Sequence, residues 1–291
     1  MSVPRPRELV SVAAVISIAL VVLVFCLTHR NSISYGPGPD PFDYITTAHH
    51  LVDHGTLRFT NTVAQGLDID PRYNVYFVPE PFVILPPGQT YASLYPPGTS
   101  LLMALSLVTV GDIGPYLLGP VLAAGCVILI ALLAYSLFGA AGAVTAASLL
   151  AACPIFLAPA RAPLSDIPAL FFVLLSLVLL SAGRPTTAVI AGLAFGMAVM
   201  IRLNLAVILP ATMLWGLSQA PRSRRLGHLF AFAAGVAPGI VLLGGINAFL
   251  YGSPLTSGYA LKTDFHDPFS LAFSPRHSPA GCVPWLWAPG R

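Results

Sequence analysis

A chain of 291 residues that is 56% hydrophobic and only 9% charged cannot cover a soluble core, because a soluble domain carries about 25% charged residues. The net charge of +3 is small and the basic residues are scattered apart from one cluster, which argues against nucleic acid as a partner. The four cysteines, Cys26, Cys126, Cys153 and Cys282, lack metal or redox spacing, so no disulfide framework is expected.

In chain order, residues 9–27 follow Arg5 and Arg7 and form an apolar run too long for a signal-peptide core, so they are expected to be an uncleaved first span. A polar stretch, 29–94, carries six of the eleven acidic residues and four of the seven histidines. Residues 99–110 are apolar but too short to cross a bilayer, which suggests a re-entrant or interfacial helix. Further apolar runs cover 115–138, 140–159, 167–182, 186–201, 203–217 and 226–250. Seven spans place Arg5, Arg7, Arg184 and the cluster Arg222, Arg224 and Arg225 on the cytoplasmic side, as the positive-inside rule requires. Counting 99–110 as an eighth span would move the densest basic loop outside. The expected fold is therefore an all-α integral membrane protein. It has about seven transmembrane helices, a cytoplasmic amino terminus and a long outer loop (29–97) carrying interfacial helices.

That topology brings Asp40, Asp43, Asp166 and Arg202 from three segments to one face. The segment from Asp40 to Gly55 reads as a helix, with Asp40 as N-cap, Pro41 at the first position, Asp43 at the third and Gly55 closing it. Its apolar stripe is Tyr44, Ala48, Leu51 and Val52, suited to a membrane surface or to other helices. A carboxylate at a helix start is a good cap, and it is also held in a fixed direction, as a catalytic base must be. His49 with Asp53, and His50 with His54, are pairs one helical turn apart. They leave a divalent metal open, although no third ligand is fixed by spacing, and no metal site is assigned. Ser165 and Asp166 open a span as either a cap or a second acidic group. Arg202 interrupts an apolar stretch, and there it needs an anionic partner such as phosphate or a route to the interface.

These motifs resemble the membrane-embedded glycosyltransferases of the GT-C fold that use polyprenyl-phosphate-linked sugars, above all protein O-mannosyltransferases and lipid A aminoarabinose transferases. The resemblance rests on Asp40-Pro-Phe-Asp-Tyr44 with Ala48, Leu51 and Gly55, then Tyr95-Pro-Pro-Gly98, then Ser165-Asp-Ile-Pro-Ala-Leu170. It continues through Arg202-Leu-Asn204 with Pro210, and Tyr251-Gly-Ser-Pro254 with Gly258-Tyr259. It departs in two places: Pro41 stands at the position that is often glutamate, and members of the family usually continue well past residue 291 with more spans. The resemblance covers roughly 8–260 and implies a transmembrane module over 1–260. The tail, 261–291, matches nothing in the family and is expected to mark a truncated or frameshifted product. What the resemblance implies is an inverting transfer of a sugar from a polyprenyl-phosphate donor to an acceptor lipid, glycan or protein, on the outer face of the plasma membrane. Asp40 would then be the general base and Asp43 the reserve base. Asp166 would orient acceptor or sugar, and Arg202 and Tyr95 would hold the donor phosphate. The alternatives are a transporter or flippase of a lipid-linked substrate, or an inactive fragment.

Overall fold

The computed structural model describes residues 6–30, 39–60, 62–66, 78–85 and 90–261. The expectations placed on Arg5 and on the tail from 262 lie outside the described residues.

The chain opens with α1 (Pro6–His29) and α2 (Pro39–His54), followed by β1 (Phe59–Thr60), α3 (Thr62–Gly66), β2 (Phe82–Leu85) and β3 (Thr90–Ser93). Then come α4 (Gly98–Val110), α5 (Gly114–Ala151), α6 (Pro154–Ala160), α7 (Asp166–Leu180) and α8 (Pro185–Ile201). A 3-10 turn over Leu203–Ile208 leads into α9 (Leu209–Gln219), and a second over Arg222–Arg224 into α10 (Arg225–Tyr251); α11 (Gly258–Leu261) follows.

Three stretches are long and apolar enough to cross a membrane: Glu8–His29, Gly114–Ala151 and Arg222–Tyr251. Four others, Gly98–Val110, Asp166–Leu180, Pro185–Ile201 and Leu203–Gln219, are apolar but shorter. At 1.5 Å per residue the 15 residues of α7 rise about 22 Å and the 17 of α8 about 26 Å, against a hydrocarbon core of about 30 Å.

The two runs expected at 115–138 and 140–159 form α5 and α6, with their boundary at Gly139. Its φ of 70° and ψ of −163° cannot continue a helix. A Cβ placed on Gly142 would lie 3.3 Å from the Ala134 carbonyl oxygen, eight residues back, a separation of about 12 Å along a straight helix. The chain therefore reverses at Gly139. Both halves of α5 share one core with α1, α6 and α7, through Val22, Cys26, Ala123, Cys126, Ala143, Ala147 and Ile167. A second core joins α8 to α10. There a Cβ on Gly192 would meet the Gly235 Cα at 2.8 Å and one on Gly239 would meet the Gly196 Cα at 2.8 Å. Small residues four apart on both helices let the backbones touch, which is how apolar helices gain contact where lipid offers no hydrophobic drive.

The segment before α4 adds what the sequence pattern did not foresee, an antiparallel three-stranded sheet in the order β1-β3-β2. Its register pairs Phe59 with Tyr91 and Phe82 with Ser93. Phe59 stacks on Tyr91 at 5.1 Å and on His50 of α2 at 4.0 Å, and Phe82 meets Phe42 edge-on at 6.2 Å. Aromatic pairing thus fastens the sheet to α2. α2 in turn lays Tyr44 and Ala48 on Met103, Ala104 and Leu107 of α4, as its stripe predicts, while Val52 stays exposed.

Candidate active site

Helix α2 begins at Pro39, one residue before the expected cap, so Asp40 lies in its first turn. Its end is the expected one: Gly55 has a φ of +68° and its N–H donates to the Leu51 carbonyl at 2.9 Å. The Asp40 carboxylate is half-buried and accepts the hydroxyl proton of Tyr95. One turn on, Asp43 is wholly buried. Thr47 Oγ1 donates to its Oδ1 at 2.9 Å, and the Ser93 hydroxyl of β3 donates to its Oδ2. Ser93 Oγ also accepts the Tyr95 N–H at 3.0 Å. Burial pushes the Asp43 carboxyl up to about 7, despite hydrogen bonds from Ser93, Thr47 and the Tyr95 backbone that oppose the rise, and the nearby Asp40 charge adds to it. Of the two carboxylates, Asp40 can reach a ligand and Asp43 cannot.

Tyr95 stands where three segments meet. The start of α4 is jammed against the end of α8, since a Cβ on Gly98 would lie 2.5 Å from the Met200 carbonyl carbon. A Cβ on Gly258 would lie 2.5 Å from the Leu94 oxygen, so the segment after α10 crosses the same place. Tyr259 packs edge-on against Tyr95 with ring centroids 5.9 Å apart. Burial holds both phenols above their usual range; the Asp40 carboxylate adds to the effect on each, and the Arg202 cation opposes it at Tyr259. Gly98, three residues after Tyr95, abuts Met200 and Ile201 just before Arg202, so the Asp40–Tyr95 pair stands close to the end of α8.

Arg202 ends α8 in an extended conformation, with φ −139° and ψ 104°, before the 3-10 turn. Its Nη1 donates to Asp166 Oδ1 at 2.7 Å, and the two side chains are 39% and 41% exposed. Of the two outcomes expected for Arg202, an anionic partner or a route to the interface, the structure shows a partner, Asp166 in the first turn of α7. One of five guanidinium N–H donors makes this bond, which leaves others for a ligand. Ser165, the residue before α7, makes no side-chain cap bond and is buried.

The structure thus brings Asp40, Asp43, Tyr95, Asp166 and Arg202 together. It adds Thr47 and Ser93, which sequence reasoning gave no role, and sets Tyr44 and Tyr259, expected only in the apolar stripe and in a family motif, against the Tyr95 ring. Thr47 carried a signal, since it follows Asp43 by four residues on one helix face. Ser93 carried none, because its place depends on strand register. The expected histidine pairs are otherwise engaged at one member: His50 stacks on His54 at 4.5 Å and its Nε2 lies 2.9 Å from the Arg58 carbonyl. Among the described residues no three His, Cys, Asp or Glu side chains cluster as metal ligands.

A family model for dolichyl-phosphate-mannose-protein mannosyltransferases matches residues 95–244, slightly over half of the chain. The chain belongs to that family. No curated protein and no solved structure matches it. Membership makes it a membrane glycosyltransferase in general class. Of the site residues in this mannosyltransferase-family chain, Tyr95, Asp166 and Arg202 lie within the matched span, while Asp40 and Asp43 precede it. The hydroxyl of Tyr95 on Asp40 joins the two parts.

Proposed function

We propose that the protein moves a sugar from a polyprenyl-phosphate donor to an acceptor hydroxyl on the non-cytoplasmic face of the plasma membrane. The observation that carries this reading is a ligand-accessible carboxylate, Asp40, fixed by Tyr95 beside the Asp166–Arg202 pair. In the reaction Asp40 removes the proton of the acceptor hydroxyl. The freed oxygen attacks the anomeric carbon from the side opposite the phosphate, and the bond from that carbon to the phosphate oxygen breaks with its electrons going to phosphate. The configuration inverts. Phosphate is already a good leaving group, so catalysis is mostly positioning and charge stabilisation. Arg202, oriented by Asp166, offers its remaining N–H donors to the departing phosphate. Tyr95 keeps Asp40 aimed, and Asp43 holds the start of α2 to β3 from within.

The reading includes seven passes, with α7, α8 and the Leu203–Gln219 stretch crossing as short spans beside the three longer ones and α5 crossing twice about Gly139. Arg184, Arg222, Arg224 and Arg225 then face the cytoplasm. In a cysteine-free background, an impermeant maleimide should label Asp53→Cys in intact cells and Ser223→Cys only after permeabilisation; the reverse pattern overturns the placement. Membranes containing the protein should transfer label from one member of a panel of radiolabelled polyprenyl-phosphate sugars. No transfer from any donor by inserted protein would overturn the activity.

A further inference from the structure

The densest positive charge in the chain lies at the end of α8 opposite Arg202, about 26 Å away along the helix. Arg184 stands just before α8, and Arg222, Arg224 and Arg225 lead into α10. The two turns touch: a Cβ on Gly183 would lie 2.9 Å from the Gln219 carbonyl oxygen and 3.9 Å from the Ala220 Cα. All four arginines are exposed. None of them pairs with a carboxylate among the described residues, and from Ile167 to Thr263 the sequence holds no Asp or Glu.

The helices make this charge harder to hold. Arg184 is the N-cap of α8 and Arg224 that of α10, and neither helix has a side-chain cap bond or an acidic residue in its first turn. The first N–H groups of a helix lack intrahelical partners and carry partial positive charge. The guanidiniums therefore repel both helix starts and, across the touching turns, one another. Positive charge on the cytoplasmic side, which insertion favours, does not require charge at helix N-termini. An anion between the two turns converts each of these repulsions into an attraction.

The adjoining surface decides what carries the anion. Leu226 and Phe230 lie four residues apart on one face of α10, just past the arginines, and each is 70% exposed. Guanidiniums that continue directly into exposed apolar surface match phosphates with acyl chains attached rather than a soluble polyanion. The cations also come in two sets, one on each turn, so two phosphates on one headgroup give each turn its own partner.

We infer that the turn between α7 and α8 and the turn between α9 and α10 together bind one phospholipid whose headgroup carries two phosphates, as in diphosphatidylglycerol. The site lies beyond sugar transfer and does not depend on it, so either can fail alone.

The test is native mass spectrometry of the purified full-length protein in mild detergent, titrated with diphosphatidylglycerol. One molecule should be retained per chain. Phosphatidylglycerol at matched charge should bind roughly 100-fold more weakly, because its phosphates are not joined. Arg184→Gln should weaken retention about 5-fold, the usual effect of one arginine at an anionic surface, and Gln at 222, 224 and 225 together about 100-fold. The single variant alters one charge only, so it remains decisive if the triple variant misinserts. The deacylated headgroup should not displace the lipid. Equal binding of phosphatidylglycerol would show diffuse attraction, and displacement by the free headgroup would show a soluble polyanion; either overturns the inference, as does undiminished retention by Arg184→Gln.

Discussion

Replacing Asp43 by Asn removes a titration without removing a contact, and its effect on stability has a definite sign. The carboxyl rises from 3.8 to about 7 on folding, chiefly by burial. A carboxyl with a raised folded pKa favours the folded state most fully below its unfolded pKa, and that contribution is lost as pH climbs from about 3.8 through about 7. A shift of about three units corresponds to on the order of 4 kcal/mol, or roughly 10 °C in melting temperature for a protein of this size. Asn reproduces the protonated acid: its oxygen accepts from Thr47, its amide donates to Ser93 Oγ, and the Ser93 proton turns to the Tyr95 carbonyl 3.2 Å away. The assay is thermal unfolding of wild type and Asp43→Asn in one detergent from pH 4 to 8, read by proteolysis of the segment before α4. The two should agree near pH 4, and the variant should be the more stable at pH 8. Parallel curves, or a variant less stable at pH 8, would refute the buried, proton-holding role.

Tyr95→Phe keeps the ring contacts with Tyr44 and Tyr259 at 5.3 and 5.9 Å but frees Asp40; transfer should fall about 10-fold at unchanged melting temperature, consistent with the loss of one positioning hydrogen bond. Arg202→Gln and Asp166→Asn, singly and together, should alter stability by no more than about 1 kcal/mol, because the pair is about 40% exposed. Each should nevertheless cut transfer about 100-fold or more, and the double-mutant cycle should show strong coupling in activity. Gly98→Ala would drive a methyl into the Met200 backbone at 2.5 Å and should cost about 1–3 kcal/mol by thermal unfolding, as overpacking does.

Much of the site was legible because charge in an apolar chain is conspicuous. Arg202 called for an anion or a route to the interface, and Asp166, across one loop-and-helix excursion, supplies the anion. Gly55 and the shortness of residues 99–110 were equally plain, since a left-handed turn and a 13-residue helix leave direct marks in sequence. Asp40 was correctly placed at a helix start, but its partner was not visible: Tyr95 is 55 positions away and reaches it through the packing of α2 on α4. The sheet escaped for a related reason. β1 is two residues long and its pairing with β3 spans some thirty positions, so no local alternation announces it. Asp40 was expected as general base and Asp43 as its reserve, but that Asp43 is wholly buried was not visible in the sequence, because it depends on β3 packing over α2. The hairpin at Gly139 was expected as a gap between two spans, and its left-handed φ explains why glycine stands there.

The most direct test of the account is single-turnover sugar transfer from a radiolabelled polyprenyl-phosphate donor, comparing wild type, Asp40→Asn and Asp43→Asn at equal amounts of inserted protein. The account predicts loss of about 1,000-fold or more with Asp40→Asn, in keeping with removal of a general base, and much smaller loss with Asp43→Asn. Wild-type rates from Asp40→Asn, or a loss confined to Asp43→Asn, would contradict it.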